Sequence, residues 1–165
     1  MAPKLEQVFT LRAFLSREDL LSLGQTKGGQ QRYVAPVTHG TLSGLGLSFN
    51  LIQGGSDWLL LDADSGTAHL DIRAQARSDN GEQIYFHYPG ILKVDEATQL
   101  ALQWSSRAKT TTSQDHYWFI TPTFEVNSEN LKWMEQTVFI GHGHWVIPGD
   151  GTQAVEYEIY KVVSA

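Results

Sequence analysis

The stretch Leu70-Asp-Ile-Arg-Ala-Gln-Ala-Arg-Ser-Asp-Asn-Gly-Glu-Gln-Ile-Tyr-Phe-His-Tyr88 decides the fold. Apolar Leu70, Ile72, Ala74 and Ala76 alternate with Asp71, Arg73, Gln75 and Arg77, the period of a β-strand with two unlike faces. Asn80-Gly81 supplies the positive φ angles of a tight hairpin, so a second strand follows at once. A two-residue turn places Asp79 across from Glu82, Arg77 across from Ile84, Gln75 across from Phe86 and Arg73 across from Tyr88. A three-residue loop instead brings up Tyr85 and His87, and the like-charged Asp79–Glu82 pair counts against the shorter turn. The shorter turn is the register adopted here. It sets the charged face among aromatics, which suits either solvent or a polar pocket.

Working outward, strand-like runs recur on both sides, from QVFTLRAFL at 7–15 to AVEYEIYKVV at 154–163, eight or nine in all. Gly-, Asn- and Asp-rich turns such as QGGS, DADSG and PGDG separate them. Two helices are expected: Ser16–Gly24, where Ser16 and Asp19 have capping-box spacing, and Asp95–Ser106, where Ala97, Leu100, Ala101 and Trp104 share a face. A short turn around Ser128–Gln136 is also expected. The fold class is therefore all-β with minor α, one closed antiparallel barrel over residues 1–165 forming a single domain. At 165 residues the chain can bury roughly two thirds of its unfolded surface in one core. A barrel of about eight strands either fills with side chains or holds one small ligand.

Composition narrows the chemistry. No cysteine means no disulfide, thiolate nucleophile or Cys-ligated zinc. A net charge of −6 argues against binding a phosphate backbone, so no nucleic-acid partner is expected. The absence of any long apolar run predicts no membrane partner and a cytoplasmic location. His142 and His144 have the H-x-H spacing of some metal sites but no evident third ligand, so no metal and no cofactor are expected. Gln53–Trp58 lacks the Lys-Ser/Thr of a phosphate loop, and Thr41 stands where a hydrolase elbow around Ser43 would need glycine.

Five segments in order carry a family likeness. Arg32 and Pro36, Gly54-Gly55-Ser56-Asp57-Trp58, Leu70-Asp71-Ile72-Arg73, Thr121-Pro122-Thr123-Phe124-Glu125 and Trp133-Met134 together make the chain resemble the domain-of-unknown-function 3237 family over nearly its whole length. It departs from the family pattern at His39, Ser56 and Glu135. The resemblance implies a lipocalin-like or allene-oxide-cyclase-like barrel, often a homo-oligomer, some fungal members of which are regarded as chalcone isomerases. It also favours a pocket over solvent for the Asp71/Arg73 face.

The activity expected is a cofactor-independent isomerisation or cyclisation of a small aromatic or polyketide-derived ligand, most sharply chalcone-to-flavanone closure. Arg73 is expected to stabilise a developing enolate and Asp71 to orient it. Tyr88 and Tyr117 would donate hydrogen bonds, with Arg32 a second cation at the mouth. Phe86, Trp118 and Trp133 would be apolar walls for the substrate. The alternatives are a carrier barrel without turnover and a filled barrel serving as an assembly module. The last requires the Asp71/Arg73 face to point outward.

Overall fold

A computed structural model describes residues 1–165. Its strands are β1 (Lys4–Leu15), β2 (Leu21–Gln25), β3 (Gln31–Gly44), β4 (Leu47–Asp57), β5 (Leu60–Asp62), β6 (Thr67–Arg77), β7 (Gln83–Lys93), β8 (Trp118–Ile120), β9 (Thr123–Val126), β10 (Phe139–Val146) and β11 (Ala154–Val163). Eight of them close a ring in the order β1, β3, β4, β6, β7, β8, β10, β11, every pair antiparallel. Closure removes the unpaired edges that an open sheet would leave. β2 lines the outside of β3, β5 bridges β3 and β6, and β9 adds to β7.

Helix α1 (Glu96–Leu102) covers one end, here called upper. Asp95 caps it by accepting from the Thr98 N–H. Trp145 Nε1–H donates to Thr98 Oγ1 at 3.3 Å and Gln153 Nε2–H to the Ala101 carbonyl at 3.1 Å, tying the helix to β10 and the start of β11. At the lower end the 3-10 segment Glu129–Gln136 inserts Leu131 and Met134. The helix expected at Ser16–Gly24 does not form. Ser16 and Asp19 do make the capping contacts, at 2.7 and 3.2 Å, yet Leu21–Gln25 continues as β2 because pairing with β3 supplies its backbone bonds.

The hairpin register also differs from the one adopted. Ser78 N–H bonds the Glu82 carbonyl, leaving the three-residue loop Asp79-Asn80-Gly81 with Gly81 at φ +85. Arg73 therefore pairs with His87 and Gln75 with Tyr85, while Ile72 faces Tyr88 and Ala74 faces Phe86. Directly opposed residues lie on the same face of a sheet, so this one-residue difference assigns the aromatics to the apolar side. Leu70, Ile72, Ala74 and Ala76 point into the core with Phe86 and Tyr88. Asp71, Arg73 and Gln75 point outward.

Candidate functional site

Above Tyr88 the barrel interior is not completely filled. A chamber of about 40 Å³ remains under α1, walled by aliphatic side chains with Tyr88, Trp118, Trp145, Tyr157 and one acid, Asp57. Its polar groups come from four strands: β4, β7, β8 and β11.

Asp57 reaches the interior through an irregularity in β4. Ile52 pairs with Gln75 and Ser56 with Arg73, so Gln53, Gly54 and Gly55 share the space opposite Ala74. A Cβ on Gly55 would lie 2.7 Å from the Arg73 carbonyl oxygen and 2.9 Å from Ala74 Cβ, so this close approach of β4 to β6 requires glycine. Beyond the bulge Asp57 pairs with Ile72 and takes the inward direction. Its Oδ1 accepts the Asp71 N–H at 3.0 Å.

Burial raises the Asp57 carboxyl from an ordinary 3.8 to about 7; the Asp71 charge adds to the rise, and the Asp71 N–H and the Arg32 charge partly offset it. Burial also drives the phenols of Tyr88 and Tyr157 above their ordinary range, and the charge of Asp57 pushes both further in the same direction. The two rings meet edge to face at 5.4 Å. Trp118 stands edge-on to Tyr157 at 5.5 Å; its buried Nε1–H makes no hydrogen bond of good geometry, and its one polar neighbour is the Tyr157 hydroxyl, whose ionised form it favours. A buried donor without a well-formed hydrogen bond is costly, and beside a cavity it is a ready partner for a ligand oxygen. The arrangement can exchange a proton through Asp57 and hold an oxygen with neutral donors.

Of the residues expected from sequence, only Tyr88 and Trp118 line this chamber. Phe86 is interior but lies below it, stacked on Tyr88 at 6.1 Å. Trp133 packs on Phe9 at the lower end, 6.0 Å between centroids. Tyr117 is exposed on the outer wall under Lys93. Arg32 donates to the Trp58 carbonyl.

Asp71 and Arg73 are corrected: their side chains, 42% and 51% exposed, form an outer-surface ion pair at 3.6 Å. Arg73 lies over the Trp58 ring at 5.8 Å, and His87 Nε2 meets Asp71 Oδ1 at 2.9 Å. The outward direction satisfies the condition set by an assembly-module reading, but the chamber leaves the barrel less than filled. His142 and His144 are also on the outer face, opposite Glu158 and Glu156, and no group of three or more His, Asp or Glu is placed to hold a metal ion.

Asp57 and Tyr157 were missed. The available signal for Asp57 was its position two residues after the double glycine Gly54-Gly55, where a bulge can turn a polar residue inward. Tyr157 looked like any aromatic of a half-buried strand.

A UPF0311 protein of Clostridium acetobutylicum is 28% identical to this chain over 136 residues, 82% of each chain. The solved structure of a β-barrel-like protein of Acinetobacter baumannii aligns over 98% of this chain and 97% of its own, with 26% identity and a TM-score of 0.74. A structure described as an enzyme from Penicillium herquei aligns over 98% and 96%, with 16% identity and a TM-score of 0.61. No helix is long and apolar enough to cross a membrane. The model of the family described as protein of unknown function (DUF3237) matches residues 3–162, and the chain belongs to that family.

Proposed function

We propose that the upper chamber isomerises or cyclises a phenolic or enone-bearing small molecule without a cofactor, using Asp57 as the proton-transfer group. The observation that carries this reading is one enclosed carboxyl, raised to about 7, among apolar walls with two phenols and an indole N–H that makes no good hydrogen bond. A general base works best with a pKa near the working pH, and burial has moved an aspartate there. A fold neighbour described as an enzyme adds support for turnover.

In its sharpest form the reaction is closure of a chalcone to a flavanone. Asp57 carboxylate accepts the phenol proton, and the phenolate oxygen forms a bond to the β-carbon of the enone. The π electrons move to the carbonyl oxygen as an enolate, which Tyr88, Tyr157 and Trp118 N–H stabilise by hydrogen bonds. The proton on Asp57 then returns to the α-carbon, so no atom or electron is gained or lost. Enolate stabilisation, expected of Arg73 from sequence, passes in this reading to the interior donors.

The test is turnover and binding of 2′-hydroxychalcone by wild type and Asp57→Asn. Loss of roughly a hundred- to ten-thousandfold in rate, with binding retained within a few fold, supports the reading. Arg73→Met should turn over like wild type. An Asp57→Asn protein as fast as wild type overturns the proposal. Wild type that binds the enone and never converts it is a carrier.

A further inference from the structure

The chamber of about 40 Å³ holds about three waters, taking some 10–15 Å³ of such volume for each, while small-molecule sites begin near 300 Å³. A ligand with a ring therefore needs more room than the closed interior provides. The wall that separates it from further space is thin at one place. Leu102, the last residue of α1, lines the chamber and also lines a surface dent of about 270 Å³ whose other walls include Tyr33, Leu61, Val94, Gln99 and Gln103.

No other residue lines both spaces. Leu102 is half-buried, and its side chain is held by packing alone, so a change of rotamer breaks no hydrogen bond. The preceding turn is anchored, by Trp145 to Thr98 and by Gln153 to Ala101. The side chain is therefore the movable part of the wall, and the helix backbone is the fixed part. With the side chain turned aside, chamber and dent join into a volume of the size that small-molecule sites have.

The two spaces differ in chemistry. The chamber has the acid, the phenols and the indole N–H; the dent has Tyr33, aliphatic walls and two glutamines, and no charged residue. We infer that the ligand is a two-part, elongated neutral molecule. A compact head bearing a carbonyl and an ionisable hydroxyl lies among Asp57, Tyr88, Tyr157 and Trp118. A flat apolar arm lies in the dent, and the two are joined through the place Leu102 fills. The polar substituents the arm can carry are those that glutamine amides bind, hydroxyl or ether oxygens, rather than carboxylate or phosphate. This inference rests on the function proposed above for the head group and adds where the rest of the molecule goes and which residue admits it.

Stopped-flow quenching of tryptophan fluorescence by 2′-hydroxychalcone tests it, because Trp118 and Trp145 line the chamber. Leu102→Ala should raise the association rate at least tenfold. Leu61→Trp and, separately, Gln99→Trp on the exposed helix flank should fill the dent and weaken binding at least tenfold, with thermal unfolding confirming that each variant is folded. The two dent variants lie on different elements, so a folding defect in one leaves the other to decide. Equal rates and affinities in all these proteins, or no binding by wild type, overturn the inference. Asp57→Asn separates the two proposals. If it binds and turns over like wild type while the Leu102 and dent effects hold, the ligand site stands and the proton-transfer reading fails.

Discussion

Below Tyr88 the barrel is occupied by Phe9, Phe49, Phe86, Phe124 and Phe139, closed off by Leu131 and Met134; above it, Trp118, Trp145 and Tyr157 surround a void that also receives a carboxyl. β1, β4, β7 and β10 run through both halves with the same in-out alternation. What differs is the tip of the aromatic side chain. A phenylalanine can interlock with its neighbours in any orientation that packs, and Phe124 meets Phe139 edge to face at 5.1 Å. A tyrosine or tryptophan brings a polar atom that needs a partner, so a half built from them is underpacked or underbonded unless something else is present. The lower half stabilises the fold, and the upper half uses that stability to hold groups that are unfavourable alone.

The largest expected effect tests the lower half. Phe139→Ala removes a ring that is 1% exposed and in contact with Phe9, Phe124 and Trp133, and should cost about 3–5 kcal/mol in chemical denaturation. Leu102→Ala at the upper end should cost under about 2 kcal/mol, because the residue is half-buried and already borders a void. Equal costs would abolish the distinction between the halves.

Next in size is an opposite sign. The folded-state value of Asp57, about 7, lies above its unfolded 3.8, so its contribution to stability is complete below about pH 3.8 and is lost as pH rises through about 7. Above that, the folded protein holds a buried charge, a penalty of about 4 kcal/mol at 1.36 kcal/mol per pH unit. Asp57→Asn should therefore raise stability at pH 8 by up to about that amount and change it little near pH 4. A variant that is less stable than wild type at pH 8 would mean that the ionised carboxyl is well bonded. It would then be a structural acid.

The smallest effect sharpens how the upper half is tuned. Asp71 sits outside the wall, yet its N–H bonds Asp57 and its negative charge raises the inner carboxyl. Asp71→Asn keeps the backbone bond and deletes the charge. The rising limb of the pH–rate profile should move to lower pH, and by less than the whole elevation, since burial is the larger cause. An unmoved profile would leave burial as the sole origin.

Much of this was legible beforehand for reasons that can be named. Period-two alternation with Gly and Asn punctuation marks strands wherever one face is buried, and the barrel follows from their number. Helix α1 was readable because Asp95 and the Ala97/Ala101 spacing agree. The Ser16–Asp19 cap was equally readable and misleading, since a cap satisfies a few N–H groups and pairing with β3 satisfied the rest. The site was obscured by a single turn. Two- and three-residue loops around Asn80-Gly81 are both sound local chemistry, and choosing the shorter one exchanged the faces of β7 relative to β6 and put Arg73 beside Tyr88. Asp57 was hidden because Gly54-Gly55 permits a bulge without fixing where it falls, and its place opposite Ala74 is set by contacts between strands.

The loop Asp79-Asn80-Gly81 thus acts as a reading frame for the barrel wall. Strand partners are matched to one side or the other by parity, and parity is counted from the turn. Deleting one of its three residues would leave every other letter of the chain unchanged. Ser78 and Glu82 would then close a two-residue turn with the same partners facing each other along both strands, so the frame is set by which pair closes the loop and not by the loop's length. A closing pair shifted by one residue, by contrast, would put Tyr85 and His87 inside and Phe86 and Tyr88 in water.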